Sequence, residues 1–98
     1  MERHAMKATL NGHVIAESDD VIECAGYRYF PNASVRKEWL KKTQKTVSDL
    51  ECPHVVQFYD IVIDGTRHER AAWEYEAPLA KMARTFQRTG FWKDVAFE

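Results

Sequence analysis

The segment from Val55 to Ile63 constrains this chain more than any other, because it is apolar on both sides of an extended backbone. Val55, Tyr59, Ile61 and Ile63 share one face, while Val56, Phe58 and Val62 share the other, so the strand predicted here is covered on both faces. Asp64-Gly65 closes it with a pair suited to the positive φ values of a type I′ turn. Ala71, Trp73 and Tyr75 then alternate against Glu74 and Glu76 and supply the returning strand.

Short strands are expected around this hairpin. Lys7–Leu10 and His13–Ser18 flank Asn11-Gly12 and read as a first hairpin. Val21, Ile22 and Cys24 precede Gly26, and Tyr27–Phe30 ends at Pro31, giving two more strands. Between Ser34 and Lys42 the period changes: Val35, Trp39 and Leu40, with Ser34 placed to cap, predict a short helix. Lys45–Leu50 reads as a return to strand, which Cys52-Pro53 breaks. After Pro78, the spacing of Leu79, Met82, Ala83 and Phe86 predicts an amphipathic helix stopped by Gly90, and Phe91-Trp92 with Val95–Phe97 offers a last strand. The fold class is mainly β (α+β by content): compact twisted antiparallel sheets, one short helix after the first strands, and one amphipathic helix near the C-terminus.

At 98 residues the chain suits one domain, expected over 6–98 after a flexible leader at 1–5. Five Phe, four Tyr and three Trp suffice for a core without staples. The net charge of −1, without a long single-sign block, disfavours nucleic acid and anionic membranes as partners. The basic stretch of Arg36, Lys37, Lys41, Lys42 and Lys45 is interrupted by Glu38 and reads as a solvated face. No apolar run approaches the length that spans a bilayer, and no export signal precedes the domain, so a cytoplasmic location with reduced Cys24 and Cys52 is expected.

The order Asn11-Gly12 with Val14, Ala16 and Ser18, then Tyr29-Phe30-Pro31, Val35, Leu40, Cys52-Pro53, Tyr59, Ala72-Trp73-x-Tyr75, Pro78 and Val95-Ala96-Phe97 resembles the bacterial domain-of-unknown-function family numbered 427. The resemblance covers nearly the whole chain from Met6. It implies a compact twisted antiparallel fold, similar to the β architecture of zinc-containing guanine-exchange-factor-like proteins, and it implies no known reaction. One departure stands out. Family members typically follow Cys-Pro with Lys-Gly or a similar glycine step, whereas this chain has His54-Val55-Val56, which alters any close backbone approach to a ligand there.

Zinc in proteins of that architecture is held by two CxxC pairs; none is present, and Cys24, Cys52 and His54 fall short of a four-ligand set. No metal and no cofactor are expected. The nucleotidyltransferase-type label the family has at times carried finds neither a glycine-rich loop nor an Asp-x-Asp pair among Asp19, Asp20, Asp60 and Asp64. Three readings of function remain. The first is a small-molecule or modified-residue binding module whose pocket is lined by Tyr29, Trp39, Tyr59, Trp73 and Tyr75, with Ser18, Glu17 or Cys52 orienting the ligand; for the rings themselves a core role ranks ahead of the pocket, because large aromatics dominate core burial in small domains. The second is an enzyme using Cys52 with His54 as base, or Glu17 as acid or base. The third is a scaffold or homodimerisation domain docking through Phe86, Phe91 and Trp92.

Overall fold

A computed structural model of the chain describes residues 5–98. Strands β1 (Met6–Leu10), β2 (His13–Ser18), β3 (Ile22–Cys24), β4 (Tyr27–Pro31), β5 (Leu40–Lys42), β6 (Val56–Ile63), β7 (Thr66–Tyr75), β8 (Arg88–Phe91) and β9 (Ala96–Phe97) are joined by turns and one α-helix, α1 (Val47–Glu51). They form two antiparallel sheets, one ordered β2-β1-β9 and one ordered β3-β4-β8-β7-β6-β5. Strand accounts for about 50% of the described residues and helix, mostly 3₁₀, for 18%, so the fold is mainly β. Among the described residues no helix is long and apolar enough to cross a membrane.

The tight turns follow the chemistry of their residues. Asn11 and Gly12, Ala25 and Gly26, and Asp64 and Gly65 all have φ between 50° and 86°, the mirror-image turn whose twist matches that of a hairpin. The main core brings Ala8, Leu10 and Ile15 of the smaller sheet together with Phe30, Ile61, Ala72 and Phe91 of the larger. Phe30 stacks on Phe97 at 6.1 Å and meets Phe91 edge-on at 5.6 Å. The other face of the larger sheet has its own cluster, centred on Tyr29, Val56 and Trp73.

Helical periodicity misled where sheet hydrogen bonds were at stake. In place of a helix over 34–42 there are two single 3₁₀ turns, Asn32–Ser34 and Lys37–Trp39. Val35 bridges to Ala16, the Arg36 amide donates to the Ile15 carbonyl, and Leu40–Lys42 is the edge strand on β6. The C-terminal amphipathic stretch is a 3₁₀ segment, Ala80–Thr85, instead of a helix reaching Gly90. Arg88–Phe91 is claimed by the gap between β4 and β7, where both ladders pair with it. The strand expected over Lys45–Leu50 is instead α1. Its signature is a capping box: Thr46 Oγ1 accepts from the Asp49 amide at 3.2 Å, while Asp49 Oδ2 accepts from the Thr46 amide at 3.0 Å. The leader expected at 1–5 lies outside the described residues except for Ala5.

The β6–β7 hairpin holds the register expected from its turn until Ile61 pairs with His68; beyond it, Tyr59 pairs with Ala72. Asp60 therefore stands opposite Glu69, Arg70 and Ala71, a bulge on β7 with Arg70 at a φ of 52°. The Asp60 carboxylate replaces the lost ladder partner by accepting from the Arg70 amide at 2.9 Å, and it also pairs with the Arg67 guanidinium. From the bulge, the Arg70 side chain donates two hydrogen bonds to the buried Asp49 carboxylate, at 2.8 and 3.0 Å. The guanidinium holds the Asp49 carboxyl at about 2, below its usual 3.8, against the opposing effect of burial.

Because the folded value is depressed, this pair stabilises fully above about pH 4 and loses its contribution as pH falls towards about 2. Asp49→Asn removes the carboxylate that Arg70 grips, leaving only the more distant charge of Asp60, and is expected to cost about 2 kcal/mol at neutral pH, discounted from a fully buried pair because Arg70 keeps some solvent access. Urea denaturation of both proteins across this range checks it: the gap in stability should close as the pH drops.

Candidate functional site

Alternation along β7 sends Trp73 and Tyr75 to the outer face of the larger sheet, away from the smaller one. Pairing places Phe58 opposite Trp73 on one side and Gly90 on the other, with Tyr29 beyond Gly90. Gly90 is what lets the indole lie flat across the sheet, since a Cβ there would sit 2.6 Å from Trp73 Cζ2. The rings then meet at right angles: Trp73 lies 5.0 Å from Tyr27, 5.7 Å from Tyr29 and 5.7 Å from Trp92, all edge-to-face.

These rings do not close into a sealed core. Tyr27, Phe58, Trp73, Tyr75 and Trp92 line a solvent-open cradle of about 110 Å³. Trp73 is its floor, only 4% exposed, whereas Trp92 at 38% and Tyr27 at 40% form the rim. The β7 bulge fixes this rim. Trp92 Nε1 donates to the Arg70 carbonyl at 2.6 Å, and the Arg70 guanidinium lies over the Phe58 ring at 3.9 Å. Lys93 Nζ lies over the Trp92 ring at 5.0 Å.

Behind the cradle are the polar ends of the same rings. Burial, and then the neighbouring Tyr75, pushes the Tyr29 hydroxyl well above the ordinary phenol range. The Tyr75 hydroxyl is likewise raised by burial and then by Cys52. Trp73 opposes that rise for both hydroxyls, and its buried indole N–H makes no hydrogen bond among the described residues. Cys24 and Cys52 are free thiols packed against this cluster with Met82, and Cys24 Sγ is 3.5 Å from Met82 Sδ. His54 packs edge-on against Tyr75 at 5.4 Å, and its Nδ1 accepts from the Leu79 amide at 2.9 Å. That bond helps hold the chain after β7 against the Cys52–Val55 turn, as do the Glu76 and Ala77 amides donating to the Val55 and His54 carbonyls.

The structure thus brings together Tyr29, Trp73, Tyr75, Cys52 and His54, and separates the other candidates from them. Trp39 packs on the main core, edge-on to His13 at 5.7 Å and under the Arg36 guanidinium. Tyr59 points to the inner face and donates to Glu74 Oε1 at 3.2 Å. Glu17 is exposed on β2 in a shallow depression with Ser34 and Arg36, and Ser18 Oγ accepts from the Asp20 amide at 2.9 Å. Among the described residues no three His, Cys, Asp or Glu side chains converge as a metal site requires. Sequence reasoning missed Tyr27, Phe58 and Trp92 as cradle residues. Tyr27 and Tyr29 share parity on β4, which was a usable signal; the pairing that joins them to Phe58 and Trp92 was not visible.

The family model described as Domain of unknown function (DUF427) matches residues 1–97. A comparison with curated proteins finds no match.

Two outcomes follow from this geometry. Gly90→Ala forces the Trp73 ring off the sheet and is expected to lower stability by about 2–3 kcal/mol, with a red-shifted tryptophan emission, checked by denaturation followed by fluorescence. Tyr59, pushed up to about 12 from the usual 10 by burial and then by Glu74, is harder to ionise folded than unfolded. Stability should therefore fall as pH rises from about 10 to 12, and less steeply in Tyr59→Phe when urea midpoints are compared.

Proposed function

The chain belongs to the family described as Domain of unknown function (DUF427), and from its geometry we propose that it is a binding module holding one small, planar, uncharged or anionic ring in the aromatic cradle. The observation that carries this reading is the cradle itself. Five aromatic side chains, from β4, β6, β7 and the residue after β8, stay open to solvent around about 110 Å³, whereas the main core on the other face of the sheet is closed by aliphatic residues together with Phe30, Phe91 and Phe97. A single ring fills such a volume, and stacking of a flat ring on an aromatic side chain is worth about 1–3 kcal/mol.

Charge favours a ring over a methylated ammonium. Arg70 covers one face of Phe58 and is neutralised by Asp49. Lys93 covers Trp92 and has no carboxylate within ion-pair distance among the described residues. A cationic ligand would meet that like charge at a cost on the order of 1 kcal/mol, comparable with what an exposed cation–π contact returns. A neutral ring avoids the penalty, and an anionic one gains from Lys93.

The enzyme reading ranks below binding, because Cys52 and His54 share no hydrogen bond and His54 Nδ1 is engaged by the Leu79 amide. A homodimer is the second reading, favoured by the exposure of Val55, Leu79, Phe86, Tyr27 and Trp92, although Phe91, expected to share the docking surface with Phe86 and Trp92, is buried in the main core instead.

Trp39→Phe confines tryptophan emission to Trp73 and Trp92 and provides the reporter. Uracil, nicotinamide and indole-3-carboxylate are the ring probes, with choline as the cationic control. At least one ring probe should quench saturably with a Kd of about 0.1–1 mM, as expected of a fragment-sized ligand. Adding Trp92→Ala should weaken it about tenfold in protein that circular dichroism shows to be still folded at the assay temperature, although loss of the bond to the Arg70 carbonyl lowers its melting temperature. Absence of saturable quenching by every ring probe refutes the reading. Should light scattering then report a dimer that Trp92→Ala dissociates, the homodimer reading takes its place.

A further inference from the structure

The inner face of the larger sheet carries a second concavity that the aromatic cradle does not use. It measures about 340 Å³, and its floor is laid by the ends of β5 to β8 together with Asn32 just after β4. Elsewhere this face is apolar, with Phe30, Ala72 and Phe91 buried in the main core. One step further along the same strands, alternation puts Glu74 in register with Thr89, and the face becomes polar.

The polar groups there form an ordered chain. Buried Thr89 donates from Oγ1 to Asn32 Oδ1 at 2.7 Å, which turns the Asn32 amide so that Nδ2 donates to Glu74 Oε2 at 2.6 Å. Tyr59 donates to the other carboxylate oxygen at 3.2 Å. Glu74 is thus fixed at both oxygens by neutral donors, and no cation lies within ion-pair distance of it among the described residues. Lys37 and Lys42 line the same concavity and have no carboxylate within that distance either. If charge balance within the free protein were all that shaped this cleft, one of these flexible lysines would close on Glu74, as Lys45 closes on Glu76 at 2.9 Å.

We propose that this cleft binds a small zwitterion of the α-amino-acid class, its ammonium on Glu74 and its carboxylate between Lys37 and Lys42. The occupant supplies each charge with the partner the free protein withholds. The Thr89–Asn32–Glu74–Tyr59 chain holds the acceptor in place beforehand, so little ordering is left to binding. The cleft volume admits an amino acid of moderate size and excludes a folded segment or a dinucleotide.

The test is a titration of the full chain with each of the twenty amino acids, followed through the backbone amide NMR signals of Glu74 and Thr89. At least one should shift both signals saturably with a Kd below about 1 mM. Glu74→Gln should weaken that amino acid about tenfold or more, since it exchanges a charge-assisted bond for a neutral one. The same change should leave binding of the matching deaminated carboxylic acid unaltered. Lys37→Met/Lys42→Met, on exposed positions that do not support the fold, should weaken both compounds about equally. Trp92→Ala should change neither, which separates this cleft from the aromatic cradle. The proposal is overturned if no amino acid shifts these signals at about 10 mM, where even binding near −3 kcal/mol is visible. It is equally overturned if the binding found is indifferent to Glu74→Gln.

Discussion

The bulge opposite Asp60 is the constraint on which the rest of this structure depends. Two extra residues on β7 cost a stretch of ladder, and the Asp60 carboxylate restores the lost acceptor at the Arg70 amide. At this bulge within β7 Arg70 takes the left-handed region and reaches three places at once. Its guanidinium grips Asp49 and so fastens α1 to the sheet; the same group covers Phe58; its carbonyl receives the Trp92 indole. Helix α1, the Phe58 side of the aromatic cradle and its Trp92 rim all meet at one residue.

The larger sheet is asymmetric in a way that matters more than its strand count. One face is largely spent on the smaller sheet, where aliphatic residues and Phe30, Phe91 and Phe97 exclude water. The opposite face has no sheet against it and is covered instead by its own aromatic rings, the 3₁₀ segment carrying Met82 and the Cys52–Val55 turn. Here the rings meet at right angles around a volume left open to solvent, and that opening is the cradle. At the end of the inner face, the change from Ala72 to Glu74 and from Phe91 to Thr89 marks where apolar cover stops and the charged cleft begins.

Much of the scaffold was legible locally. Asn11-Gly12 and Asp64-Gly65 announced their hairpins because few other residue pairs tolerate two successive positive φ values. Trp73 and Tyr75 announced a shared face because side chains alternate along a strand whatever its neighbours. The amphipathic spacing of Leu79, Met82, Ala83 and Phe86 was genuine and partly used, since Met82 packs inward, but Leu79 and Phe86 remain exposed. Ladder pairing of Arg88–Phe91 on both sides outweighed helix periodicity. Thr46-x-x-Asp49 carried a helix-start signal that the strand reading of Lys45–Leu50 overlooked.

By itself the sequence determined the class of fold, the hairpin turns and the faces of the long strands, because these rest on φ preferences and on a side-chain period of two within a few residues. It also grouped Trp73 with Tyr75 and Cys52 with His54. Only the tertiary structure decided that Tyr29 joins them while Tyr59 and Trp39 do not, and that Gly90 is a seat for an indole instead of a helix stop. Those outcomes depend on which strands become neighbours and on where a bulge shifts their register. Both are settled by packing and hydrogen bonding between segments far apart in the chain, which no local pattern records.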